Sequence, residues 1–158
     1  MPLSLNTYQA VVAAPGFAIG IRCDEQEVLA LEYLEPRAEE SPRKALAAEV
    51  VRQLRAYLND SGAAFSLPLR TSGTHFQRRV WEQIAAIPSH QTRTYGELAK
   101  ALHNAPRAVG QACGANPFPL VVPCHRVIAT GGGLGGFARQ RGGFLLDVKR
   151  WLLVHESR

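Results

Sequence analysis

The sequence predicts a chain of the α/β (α+β) class with two parts: a small N-terminal α/β domain with a short antiparallel sheet, and a mainly helical C-terminal domain. Short apolar runs separated by turn residues fill the first 34 positions, and from residue 41 the apolar residues recur at helical spacing. A chain of 158 residues with 46% hydrophobic content can bury one core or two small ones. We place the domains at 1–62 and 73–158, with a connector at 63–72.

Three strands are predicted first. Ala10–Ala14 and Phe17–Arg22 flank the turn residues Pro15 and Gly16, and Val28–Leu34 is rich in residues that favour strands. Short strands joined by tight turns pair antiparallel. This part is therefore expected to form a three-stranded antiparallel sheet.

One helix is predicted to follow the sheet. Apolar residues recur every three to four positions over Ser41–Leu58, with Ser41 and Pro42 at the expected start. The turn residues 59–62 end it. Residues 63–72, which include Pro68, have the composition of a connector.

Two helices of the second half begin with recognisable caps. Thr74 is followed by Gln77, and Thr94 by Glu97, each at the three-residue spacing of a capping box. The helix after Thr94 should break at residues 103–105, and Pro106 suits the first turn of the next helix, which reaches Gly114. These two helices predict a winged helix-turn-helix-like DNA-binding motif with Arg107 near the start of its second helix. A pair of short helices is also common in all-α cores, so this signal alone leaves both interpretations open.

The remaining segments lead to a cysteine and close the chain. Residues 116–119 predict a rigid turn, and the apolar residues 120–122 lead to Cys124. Residues 130–136 are too rich in glycine for a helix or strand and predict a loop that can approach a ligand closely. A last helix is expected over Leu145–His155.

Charge and cysteine content narrow the function classes. From Thr74 onward the chain has eleven Lys and Arg and four Asp and Glu, which gives a net charge of +7. The preceding part has a net charge of −2. A basic half fits a polyanionic partner, and a solvated basic surface explains it equally well. No segment is long and apolar enough to span a membrane or to act as a signal peptide. Three scattered cysteines disfavour a disulfide framework or a metal site, so a reducing cytoplasm is expected.

Cys124 and His125 are the candidate catalytic residues. A cysteine attacks as the thiolate and needs a neighbour that takes its proton. Adjacent residues of an extended segment point apart, so we expect a bridging water between the two, with Glu156 orienting the imidazole. A buried structural cysteine beside a surface histidine is the alternative. Cys113 and Cys23 are interpreted as structural, and Trp81 and Trp151 as core residues.

The motifs around this cysteine are specific. Arg107-Ala108-Val109-Gly110, Asn116-Pro117 and the run from Val122 to Ile128, with its central Pro123-Cys124-His125-Arg126, closely resemble the signature of the O6-alkylguanine-DNA alkyltransferases. The resemblance extends from about Gly73 to Glu156. Compared with the family pattern, the chain carries several extra residues around 138–144, where the loop lining the alkyl pocket is expected.

The resemblance implies a role for each site residue. Cys124 would accept the alkyl group, His125 and Glu156 would form a water-linked proton relay, and Asn116 would brace the turn. Residues that would contact the substrate or DNA are Tyr95, Arg107, Val127, Ala138, Lys149 and Arg126. Tyr95 would rotate the phosphate and donate a hydrogen bond to the base, and Arg107 would fill the space of the flipped nucleotide. The Val127 carbonyl and the backbone near Ala138 would contact the edge of the guanine, and Lys149 would lie near the site.

The implied activity is single-turnover repair of O6-alkylguanine in double-stranded DNA, by a monomer without a cofactor or metal. The range of alkyl groups and activity on O4-alkylthymine stay open. A lesion-sensing DNA-binding module is the first alternative, although relatives of that kind lack the cysteine. A cysteine hydrolase is the second, and no oxyanion-hole motif supports it.

Overall fold

The chain folds into two compact units, residues up to Arg70 and residues from Thr71. A computed structural model describes residues 7–134 and 143–158. The division falls inside the stretch that the sequence suggests as a connector. Residues 66–70 belong with the first unit because their backbone is bonded to it: Val28 N donates to Pro68 O and Arg70 N to Val28 O.

The first unit contains the expected three-stranded sheet. Strands β1 (Ala10–Ala14), β2 (Phe17–Cys23) and β3 (Val28–Leu34) pair antiparallel in that order. Val12 lies opposite Ile19, and the register shifts at Arg22 and Cys23. Strand β2 is buried along nearly its whole length, as a central strand covered on its apolar face should be.

Helix α1 (Ala45–Asn59) covers the sheet with a buried row that includes Val50 and Leu54. The expected start at Ser41 is wrong. Residues 40–43 run beside β1 instead, since Val11 and Glu40 exchange backbone hydrogen bonds and Arg43 N donates to Gln9 O. Backbone groups that are bonded to a strand cannot also begin a helix.

The second unit is mainly helical and carries two very short strands. Its elements, in chain order, are α2 (His75–Ala85), β4 (Arg93–Thr94), α3 (Tyr95–Ala101), α4 (Pro106–Gly114), a single 3₁₀ turn (Cys124–Arg126), β5 (Val127–Ile128) and α5 (Phe144–Glu156). Strands β4 and β5 pair in parallel. Ile84, Leu98, Val109, Leu146 and Leu152 are among its buried core residues.

Both predicted capping boxes are present. Thr74 Oγ1 accepts from Gln77 N while Gln77 Oε1 accepts from Thr74 N, and Thr94 and Glu97 repeat the exchange at the start of α3. Each box satisfies two backbone N–H groups that a helix start leaves unpaired. The sequence therefore fixes both helix starts locally.

The two tryptophans are less buried than the sequence predicts. Trp81 is half-buried, and its indole Nε1 donates to Ala112 O at 2.9 Å, which ties α2 to α4. Trp151 is also half-buried and stacks on His155, with ring centroids 4.8 Å apart. Tryptophan has a polar N–H that needs a partner, so it commonly lies at the edge of a core.

Helices α3 and α4 pack against each other and are joined by residues 102–105. Pro106 occupies the first turn of α4, as predicted. Val109 and Ala112 face the core, and Arg107 is exposed. The pair thus forms a helix-turn-helix that presents Arg107 to solvent. Among the described helices, none combines the length and apolar character that crossing a membrane requires.

Candidate active site

A tight turn, held by the side chain of Asn116, carries the candidate nucleophile. Asn116 Oδ1 accepts from Phe118 N at 2.9 Å, and its Nδ2 donates to Val122 O at 2.9 Å. Between them Leu120 is 3% exposed and has a φ of 75°, a left-handed conformation that is costly for a branched side chain. The amide therefore fixes both ends of a strained turn.

Cys124 begins the 3₁₀ turn, whereas the sequence analysis assumed an extended segment. Cys124 N donates to Val122 O at 2.8 Å and Arg126 N to Pro123 O at 2.9 Å. The extended geometry is excluded because these bonds curl the chain after Pro123. Successive side chains of a 3₁₀ turn point about a third of a turn apart, so Cys124, His125 and Arg126 face three directions from one short segment.

The Cys124 thiol is buried among polar groups. Its residue is 3% exposed, and its Sγ accepts from Asn116 Nδ2 at 3.2 Å. The thiol of Cys113, from the end of α4, interacts with it. That interaction and burial raise the pKa of Cys124 well above its ordinary value, while Asn116 and Lys149 lower it. The cysteine at rest is thus a neutral thiol.

Sequence reasoning missed the contact between Cys113 and Cys124. It interpreted Cys113 as a small core residue, yet Cys113 is only partly buried and lies against the candidate nucleophile. The one available signal was the position of Cys113 on the last turn of α4, three residues before Asn116. That spacing alone does not show that two thiols meet.

His125 and Glu156 form a buried pair, as expected. His125 Nε2 lies 2.6 Å from Glu156 Oε2, and the two residues are 0% and 2% exposed. A carboxylate only accepts hydrogen bonds, so Nε2 carries the proton and Nδ1 is the basic nitrogen. Nδ1 is buried and has no hydrogen-bond partner in the described part of the chain. Burial is the largest influence on the pKa of His125 and lowers it; Glu156 opposes this shift, and the net pKa is below the ordinary value, which favours a neutral imidazole able to accept a proton.

Arg126 lies inside the site. Its Nε and Nη2 donate to Glu156 Oε1 and Oε2 at 2.8 and 3.0 Å, and its Nη1 donates to Ile87 O at 2.7 Å. The side chain is 12% exposed. This placement differs from the expected contact between Arg126 and DNA, because the guanidinium is engaged on two sides by the protein.

Lys149 is buried beside the cysteines. Its Nζ donates to Val127 O at 2.7 Å and to Leu134 O at 2.6 Å, and the residue is 0% exposed. Burial lowers its pKa to about 8, and the nearby cysteines oppose that shift. At neutral pH the amine is mainly a cation and favours a thiolate nearby. The Val127 carbonyl, expected to read guanine, already accepts from Lys149, and a carbonyl oxygen can accept one more hydrogen bond.

Tyr95 is the first residue of α3 and faces the same group. Lys149 Nζ lies 5.8 Å from the centroid of its ring. Burial, and to a smaller degree Cys113 and Cys124, raise the pKa of the Tyr95 hydroxyl. The phenol therefore stays protonated and can act as a hydrogen-bond donor. Arg107, by contrast, is exposed on α4.

Some expected site features lie outside the described residues. These are Ala138 and most of the extended 138–144 loop, of which the structure describes only Gly143 and Phe144. A separate cavity of about 220 Å³ is lined by His90, Ile128, Leu153 and Glu156 among others, but not by Cys124. Within residues 7–134 and 143–158, no three His, Cys, Asp or Glu side chains cluster in a way that could hold a metal ion.

Comparisons with known proteins show what this chain is similar to. The family model of the 6-O-methylguanine DNA methyltransferase DNA-binding domain matches residues 75–158. A methylated-DNA--protein-cysteine methyltransferase of Methanosarcina mazei is 38% identical, over 95% of this chain and 97% of the relative. The crystal structure of Mycobacterium tuberculosis OGT in complex with DNA is 34% identical, with a TM-score of 0.77 over 93% of this chain and 91% of that one. An O6-methylguanine DNA methyltransferase of Methanococcus jannaschii is 25% identical, with a TM-score of 0.65 over 93% and 92%.

Proposed function

The chain belongs to the 6-O-methylguanine DNA methyltransferase family, and we propose that it repairs DNA by moving the alkyl group of an O6-alkylguanine onto its own Cys124. It is a methyltransferase and a DNA-binding protein of the direct-reversal type. The observation that carries the proposal is the setting of Cys124: its sulfur accepts from Asn116, and the next residue is a neutral histidine paired with a buried carboxylate.

Deprotonation of the thiol is the first step. The raised pKa of Cys124 means that the sulfur needs a base to become a thiolate. Nδ1 of His125 receives the proton through a bridging water, and Glu156 stabilises the resulting imidazolium through Nε2. Lys149 and the Asn116 amide stabilise the thiolate by charge and by a hydrogen bond.

Transfer follows as a displacement at carbon. A bond forms between Sγ and the alkyl carbon, the bond from that carbon to O6 breaks, and its electron pair stays on the guanine. The Tyr95 hydroxyl, kept protonated by its raised pKa, donates to the base as this negative charge develops. The guanine anion then takes up a proton from water, which balances the proton that left the thiol. The products are guanine and a thioether, and because a thioether is not readily cleaved each molecule reacts once.

The helix-turn-helix presents the lesion. O6 of a paired guanine lies inside the stack, so the nucleotide must be rotated out at a cost of a few kcal/mol. We propose that α4 enters a groove and that exposed Arg107 fills the space left by the base. Phosphate contacts by the basic second unit supply affinity, so binding should fall steeply with salt and depend little on sequence.

Methyl transfer is tested by mass. The protein is incubated with duplex DNA that contains O6-methylguanine, and the peptide bearing Cys124 should gain one methyl group per molecule. Cys124→Ala should bind the duplex and take up nothing, whereas Cys113→Ala should still be methylated at Cys124. Binding without methylation of the intact protein would favour the lesion-sensing alternative, and turnover beyond one equivalent on an ester would favour a hydrolase.

We further propose that the protein acts as a monomer in the cytoplasm. All the proposed site residues that are described lie in the second unit of one chain, which supports a monomer. All three cysteines are free, which suits a reducing compartment. Sedimentation of the protein without DNA should give the mass of one chain.

A further inference from the structure

The guanidinium of Arg126 is held more rigidly than a simple ion pair requires. Two of its nitrogens donate to the two oxygens of Glu156, at 2.8 and 3.0 Å, and a third donates to Ile87 O at 2.7 Å. A planar fork fixed at both ends also fixes the plane of the carboxylate that it binds. The orientation of Glu156 is thus set by Arg126.

That orientation decides what His125 can do. Glu156 Oε2 is shared between Arg126 Nη2 at 3.0 Å and His125 Nε2 at 2.6 Å. A carboxylate turned out of this plane would lose one of the two contacts. With Nε2 bound to the carboxylate, the proton of the imidazole stays on Nε2 and the lone pair stays on Nδ1.

We propose that Arg126 is a positioning residue of the alkyl transfer, whose fork holds Glu156 so that the proton of His125 stays on Nε2 and Nδ1 keeps its lone pair for the thiol proton. The inference rests on the proposed function and deepens it. Arg126 touches neither the sulfur nor the base, and it acts only through Glu156 and His125.

The charge of Arg126 contributes as well as its shape. The ionisable groups that act on His125 are Glu156 and Lys149 from α5 and Arg126 from the 3₁₀ turn. Burial lowers the pKa of His125 most, Glu156 raises it, and Arg126 and Lys149 lower it further. Without Arg126 the carboxylate faces the imidazole uncompensated, so the pKa of His125 rises and Nδ1 becomes protonated in more of the molecules at neutral pH.

Two variants separate the charge from the fork. Arg126→Met removes both, while Arg126→Lys keeps a positive charge without the two-point contact. The measurements are an NMR titration of the His125 imidazole and the pH dependence of the single-turnover reaction with free O6-benzylguanine. Arg150→Met removes an exposed charge from α5 and serves as the matched control.

Arg126→Met should raise the pKa of His125 and shift the acid limb of the pH–rate profile to higher pH. It should also slow transfer at neutral pH by at least about tenfold, because a general base contributes more than this to the rate. Arg126→Lys should leave the pKa of His125 near the wild-type value and still react more slowly. Arg150→Met should match the wild type in every measurement. If Arg126→Met does not fold, the Arg126→Lys result decides.

A double-mutant cycle with Glu156→Gln excludes a merely structural role. Because Arg126 acts through Glu156, the double variant Arg126→Lys with Glu156→Gln should react no more slowly than Glu156→Gln alone. Additive losses would overturn the proposal, as would an Arg126→Lys enzyme as fast as the wild type. If the proposed function is wrong, the wild type takes up no alkyl group. The NMR titration of His125 needs no alkyl transfer, so it still tests the role of Arg126 in that case.

Discussion

Replacing Asn116 by alanine should weaken the second unit and slow the nucleophile together. The change deletes the hydrogen bonds to Phe118 N and Val122 O, each 2.9 Å long, and the 3.2 Å contact to Cys124 Sγ. A net contribution of about 0.5 to 1.5 kcal/mol per hydrogen bond gives a loss of about 2 to 3 kcal/mol for the partly buried site. That is roughly a 30-fold to 160-fold change in the unfolding equilibrium.

Tryptophan fluorescence during urea unfolding measures the loss of unfolding free energy in the second unit. The protein has two tryptophans, Trp81 and Trp151, and both lie after Thr71. Asn116→Asp is the informative partner variant. It keeps the acceptor for Phe118 N but directs a negative charge toward Val122 O and Cys124 Sγ, so it should raise the pKa of the thiol further and react more slowly than Asn116→Ala with free O6-benzylguanine.

The reasoning fails on either of two results. One is an Asn116→Ala variant that unfolds at the same urea concentration as the wild type, which would mean that the three contacts do not stabilise the turn. The other is an Asn116→Asp variant that reacts as fast as the wild type, in which case the amide contact to the sulfur has no electrostatic effect.

Three further predictions follow from the same site. Arg107→Ala should weaken repair of duplex DNA much more than reaction with the free base, because only the duplex requires the nucleotide to be rotated out. Lys100→Ala removes another exposed charge and is the control. Equal losses on both substrates would show that Arg107 does not fill the space left by the base. Cys113→Ala removes the neighbouring group that most raises the pKa of Cys124, so haloacetamide should modify Cys124 several-fold faster at neutral pH. An unchanged rate would contradict this. The pKa of Lys149 is lowered to about 8, against about 10.4 in an unfolded chain. Between these pH values the unfolded state binds more protons, so the free energy of unfolding should rise with pH, by at most about 1.4 kcal/mol per pH unit. If the difference in this free energy between the wild type and Lys149→Met does not change over this range, the lowered pKa is wrong.

Local signals predicted the elements that local interactions build. The capping boxes at Thr74 and Thr94 need only residues three positions apart, and the structure contains both. The start of α1 was wrong because Ser41 and Pro42 are a helix signal that a distant interaction overrides: the backbone of residues 40–43 bonds to residues 9–11. A sequence pattern contains no information about which strand edge lies nearby.

The site shows the same limit. The motif around Cys124 predicts the nucleophile and its histidine, but it does not show whether the basic residue beside them faces DNA or the interior. Arg126 faces the interior because α5 returns Glu156 to it across 30 positions of sequence. The same return brings Lys149 under Val127, 22 positions earlier in the chain. Long-range packing, rather than the motif, decides which charges reach the sulfur.

Leu120 sets a limit on how this protein can be re-engineered. Its backbone conformation suits glycine, while its side chain fills a buried space whose loss would cost about 2 kcal/mol or more. A glycine would relieve the backbone and empty the space, and any other large residue would keep the strain. Variant libraries that aim at new alkyl groups should therefore leave this position fixed and diversify elsewhere.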